Sequence, residues 1–148
     1  MARRTEPVRK KPEEILSDVL AGAAEAALHG AASAQRFLEK TLSAQGSLPN
    51  GVKFFASERL AEYAYQSGDA EACEAAASDA LARWPDAVEQ FSRELRDAMP
   101  RLTFLERAIA VRRDRGDIAG AIELCTFALE NGFGRHYEAK RASLERAK

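Results

Sequence analysis

Three observations predict an all-α fold. Alanine supplies 30 of the 148 residues, and it is the best helix former because it gives up no side-chain freedom. Runs rich in Val, Ile and Thr with period-two alternation, the mark of strands, are missing. Two stretches also read alike at an offset of 48 residues. The first has Gly68-Asp69, then Cys73, then Ala80-Leu81. The second has Gly116-Asp117, then Ala121, then Ala128-Leu129. Each is a helix-length run, a break, and a second run with small residues at matching places. This is the pattern of a duplicated helical hairpin.

At the amino terminus, residues 1–12 hold Arg3, Arg4, Arg9, Lys10 and Lys11 against Glu6 and read as a flexible basic arm. Pro12 suits a first helical turn, and Glu13 and Glu14 suit the positive end of the helix dipole. Ile15, Leu16, Val19, Leu20, Ala23, Ala24, Ala27 and Leu28 then form a helical stripe. After a break at His29-Gly30 a second helix is expected at about 31–45, with Ala34, Phe37, Leu38, Thr41 and Leu42 on one side. The stretch Gly46-Ser-Leu-Pro49-Asn50-Gly51 is a loop.

The first hairpin is expected at about 53–84. Gly68 would take the left-handed conformation that ends a helix, and Asp69 would cap the next one. Pro85 is expected to stop that helix. Asp86 and Glu89, spaced as cap and reciprocal partner, would open an extra helix over 86–98, and Pro100 would close it. The second hairpin is expected at about 101–131. Its second helix carries a stripe of Ile118, Ala121, Ile122, Cys125, Ala128 and Leu129. A last helix should cover 135–147. The prediction is one domain over 13–148 of about seven or eight helices.

Charge is uneven along the chain. The net is −1 overall, but residues 1–12 are basic, 13–100 acidic and 101–148 basic again. No apolar run approaches the ~20 residues of a membrane span, and the amino-terminal stretch has no apolar core of a secretory signal. A soluble cytoplasmic protein is the expectation. The two cysteines, Cys73 and Cys125, lack metal spacing and fall at packing positions of their helices. His29 and His136 have no neighbouring ligand pattern. Gly132-Phe-Gly134 lacks the third glycine and the preceding strand of a phosphate loop. Glu71 and Glu74 read as surface carboxylates without an aligned partner. No catalytic constellation and no cofactor is implied.

The Gly-Asp hairpins resemble tetratricopeptide repeats, antiparallel helix pairs of ~34 residues that stack into a superhelix with a concave binding face. The resemblance rests on Gly68-Asp69, Cys73, Ala80-Leu81 and Pro85, and on Gly116-Asp117, Ala121 and Ala128-Leu129. Ala64 and Arg112 stand where the family places a large aromatic, and Phe133 stands in place of the second closing proline. The longer period is accounted for by a helix at 86–98. The resemblance implies a right-handed array and a partner gripped by the first helix of each hairpin. Carried over by register, the gripping positions are Phe55, Glu58, Glu62 and Tyr65, then Thr103, Glu106, Ala110 and Arg113.

Phe55, Glu58, Glu62, Tyr65, Glu106 and Arg113 are therefore the candidate partner-binding residues. The three carboxylates would repel a terminal carboxylate, the ligand of the chaperone-binding members, and would favour a basic or amphipathic segment. Two further readings stay open. The basic arm, with Arg3, Arg4, Arg9, Lys10 and Lys11, could join the carboxy-terminal helices in contacting nucleic-acid phosphates. The open ends of a short array could also drive self-association. The aromatics of the first hairpin have core packing as their alternative role.

Overall fold

The computed structural model describes residues 10–44 and 48–147. Among these are eight α-helices, one 3₁₀ turn and no strand. The helices are α1 (Pro12–Ala27), α2 (Ala31–Ser43), α3 (Asn50–Gln66), α4 (Ala70–Gln90), α5 (Ser92–Ala98), α6 (Phe104–Asp114), α7 (Ile118–Glu130) and α8 (His136–Arg146). The 3₁₀ turn, Met99–Arg101, joins α5 to α6.

Both Gly-Asp breaks form as their residues dictate. Gly68 and Gly116 have φ of 78° and 87°, where a Cβ would be strained. In each hairpin the amide after the glycine bonds back to the carbonyl five residues earlier. Asp69 N reaches Ala64 O and Asp117 N reaches Arg112 O, both at 2.8 Å. This is the Schellman closure, which satisfies the last carbonyls of a helix. Each aspartate then caps the second helix of its hairpin: Asp69 accepts from Ala72 N and Asp117 from Gly120 N. A third closure of the same kind ends α7, where Phe133 N bonds Ala128 O.

Pro85 does not stop its helix. It sits inside α4, which continues to Gln90. A proline removes one donor and crowds one carbonyl. Burial of Trp84 and Ala87 on the core side holds the helix together across it. The break falls instead at Phe91, with φ −135° and ψ 40°. The Phe91 ring is fully buried against Gly51 and meets Phe55 edge-on at 5.9 Å. The expected extra helix over 86–98 is thus divided between the end of α4 and α5. Asp86 and Glu89 lie within a helix and cap nothing.

Helices that follow one another in sequence pack in pairs, α1 with α2, α3 with α4, and α6 with α7. The first helix of each later pair also rests on the pair before it. Helix α3 touches α1 and α2, α6 touches α3 and α4, and α8 touches α7. Cys73, Ala80, Ala121 and Ala128 are all wholly buried, as small residues must be where helix axes approach closely. Between the two hairpins sits an aromatic cluster. Phe54 meets Trp84 at 5.4 Å and Phe104 at 5.6 Å, and Phe133 meets Trp84 at 4.9 Å. Full burial of Phe54 and of Phe104 contributes about 1.5–3 kcal/mol each. Trp84 Nε1 donates to Asn131 Oδ1 at 3.1 Å, which ties α4 to the end of α7.

Candidate interaction surface

Helix α3 carries the first four predicted partner-binding residues, and three of them are consumed by the fold. Phe55 is buried in the aromatic core. Glu58 is 1% exposed. Its Oε2 accepts from the backbone N–H groups of Thr103 and Phe104, at 2.9 and 3.2 Å. Both its oxygens also receive Arg59, at 2.6 and 3.0 Å. A helix start leaves backbone donors without partners. Here the cap of α6 is supplied from another helix. Thr103, which would ordinarily cap α6 itself, donates its hydroxyl to Glu62 Oε1 instead.

Glu62 is also buried, and it takes Arg107 in a two-pronged pair, at 2.9 and 3.1 Å. Burial alone would raise its pKa. Arg107 and the Thr103 hydroxyl outweigh that and hold the carboxyl below its ordinary range. Arg107 in turn lies over the Tyr65 ring, 4.6 Å from its centroid. Glu58 and Glu62 are therefore joints between α3 and α6, while Phe55 packs on Phe91 at the junction of α4 and α5. The expected acidic groove on α3 does not exist in that form, because a neighbouring arginine neutralises each carboxylate.

The surface left open consists of clefts beside successive first helices. The middle cleft, of about 620 Å³, lies between the α3–α4 turn and the end of α6. Tyr65, Ala70, Ala75 and Val111 give it an apolar lining, and Glu71, Glu74, Asp114 and Arg115 supply its charges. Glu74 Oε1 is held by Arg112 at 2.8 Å. Its Oε2 is buried with no hydrogen-bond partner among the described residues. The carboxy-terminal cleft, of about 390 Å³, lies between α6 and α8 and is lined by Ile109, Arg113, His136, Lys140, Ser143 and Leu144 with Ala139. A smaller cleft of about 230 Å³ is lined by Leu20 of α1, by Phe55, Glu58 and Arg59 of α3, and by Ala98, Arg101 and Leu102, so the buried Phe55 and Glu58 form part of its wall.

The predicted residues thus separate. Tyr65 lines the middle cleft and Arg113 the carboxy-terminal one, while Glu106 faces His136 Nε2 at 3.0 Å. Glu71 and Glu74 are not surface carboxylates without context but part of a cleft wall. The one signal for this is their i, i+3 spacing, which sets them on one face of α4. The opposite wall comes from α6, roughly forty residues later, and spacing along the chain carries no sign of it.

Of the basic arm, Arg3, Arg4 and Arg9 lie outside the described residues. Lys10 is exposed and pairs with Asp18 at 2.6 Å, and Lys11 is exposed. In the carboxy-terminal half, Arg112 turns inward to Glu74 and to Gly120 O, and Arg141 reaches Thr126. Burial pushes the Cys73 thiol up to about 11 and raises Cys125 as well, the reverse of what a nucleophile needs. Among the described residues no group of three or more His, Cys, Asp or Glu side chains is placed to hold a metal. No described helix is long and apolar enough to cross a membrane. No protein-family model, curated protein or solved structure matches this chain.

Proposed function

We propose that the chain is a non-catalytic interaction module, a right-handed tetratricopeptide-like array that holds a segment of a partner protein. The middle cleft carries this reading. It is large enough for several side chains, its lining is mainly apolar, and three carboxylates stand around it against Arg115. Such a lining fits an amphipathic segment whose apolar residues enter between Tyr65 and Val111 and whose basic residues meet Glu71 and Asp114. The packing of each first helix on the preceding pair supports the array. The inward-turned Arg112 and Arg141 favour a protein partner over nucleic acid.

The test uses the exposed wall of the cleft, because Glu62 is part of the fold. Ala75→Arg fills the cleft and Glu71→Lys reverses its rim charge, each at an exposed helical position. Partners captured from host extract with the full chain should be lost with both variants, while circular dichroism stays unchanged. A partner retained by both variants would remove the middle cleft from the account.

A further inference from the structure

We infer that the cleft between α6 and α8 is a second docking site, one that takes an acidic peptide segment. The register of the two hairpins makes the case. Tyr65 and Arg113 stand at equivalent positions, 48 residues apart, and each lines the cleft on the side of its helix facing the next first helix. In the middle cleft that position is aromatic and the surrounding charges are mainly carboxylates. In the carboxy-terminal cleft it is a guanidinium, joined by Lys140 from α8.

Every charged group that meets this cleft can be placed. Arg113 is about half exposed, and its one carboxylate neighbour, Asp114, is 3.4 Å away and more exposed still. Such a pair contributes little, about 0–1 kcal/mol, and yields readily to a better anion. Lys140 forms no ion pair among the described residues. Glu106, whose carboxylate reaches from α6 to α8, is engaged by His136 at 3.0 Å. The surplus in the cleft is therefore cationic. Beneath it Ile109 and Leu144 are buried and close the floor with apolar surface. The occupant that fits has carboxylate side chains for Arg113 and Lys140 and an apolar side chain for the floor. This site and the middle cleft accept opposite chemistries, so each proposal stands without the other.

The experiment measures anisotropy of a fluorescein-labelled glutamate–leucine peptide with the full chain. A lysine–leucine peptide and a single-stranded oligonucleotide serve as comparison probes. The acidic peptide should bind, weaken as salt rises, and lose roughly tenfold or more in affinity in Arg113→Glu/Lys140→Glu. Glu71→Lys, in the other cleft, should leave it unchanged. Arg113 is exposed and Lys140 half-buried, and the melting curve checks that the fold is kept. Amide shifts on titration should fall on Ile109, Ser143 and Leu144. No binding of the acidic peptide, equal binding to the double variant, or tighter binding of the oligonucleotide through the same residues would each overturn the inference.

Discussion

Glu58 and Glu106 stand at the same place in the two hairpins, and each reaches forward to the start of the next first helix. Glu58 arrives buried at the amino terminus of α6 and takes two backbone N–H groups and an arginine. Glu106 arrives at the amino terminus of α8 and meets only the imidazole of His136, with both side chains about half open to solvent. One repeated position has become a structural joint in the first hairpin and a surface contact in the second. Burial decides the difference. A carboxylate that is almost fully enclosed must have all its partners, whereas an open one can rely on water.

The comparison can be broken most directly by truncating both positions. Glu58→Ala leaves Arg59 and two helix-start amides without their acceptor, and removing one member of a buried pair costs about 3–5 kcal/mol. Glu106→Ala should cost less than about 1 kcal/mol, as exposed pairs do. Urea unfolding of the two variants gives both values, and equal losses would end the distinction.

The second joint on the same interface, Glu62 with Arg107, should show a pH signature. The Glu62 carboxyl is held below its ordinary range in the folded chain. Its contribution is therefore fully present above the ordinary carboxylate range and is lost as the pH falls through its lowered folded value. Arg107→Ala should cost about 2 kcal/mol near neutrality, the scale of hydrogen bonds to a charged group. The gap between variant and parent should close as the pH is lowered. A gap that stays constant into strong acid would assign the loss to packing against Tyr65.

The smallest effect concerns the caps. Gly120 in the second hairpin is matched by Ala72 in the first, and both amides donate to the capping aspartate three residues earlier. An added Cβ at Gly120 would press on the Asp117 carboxylate. The first hairpin holds an alanine beside the same cap, so a rotamer shift accommodates it. Gly120→Ala should change stability by no more than about 0.5 kcal/mol, its helix-propensity gain offsetting the shift. A loss well beyond that, read from thermal unfolding, would mean that the two caps are not equivalent.

Local chemistry makes much of the fold legible. The Gly-Asp breaks, the Asp69 and Asp117 caps and the small packing residues involve neighbours within a few positions, and each forms as its residue types require. Pro85 misleads because the force that keeps α4 continuous, burial of Trp84 and Ala87, comes from other helices. The candidate site is legible only as a set of helices. Register places Tyr65 and Arg113 beside open clefts, yet it also selects Glu58 and Glu62. Their partners, Thr103, Phe104 and Arg107, lie more than forty residues on, and two of the bonds go to backbone amides that no sequence pattern marks. The cleft walls are hidden for the same reason.

The central claim is that the carboxylate of Glu58, delivered from α3, caps α6 and joins the two hairpins. Native-state amide hydrogen exchange at Thr103 and Phe104 tests it most directly, comparing the parent chain with Glu58→Met, which keeps the side-chain length but offers these amides no oxygen acceptor. The account predicts that these two amides are protected in the parent and exchange much faster in the variant, while the α7 amides change only in step with global stability. Unchanged protection at Thr103 and Phe104 in a folded Glu58→Met chain would contradict it.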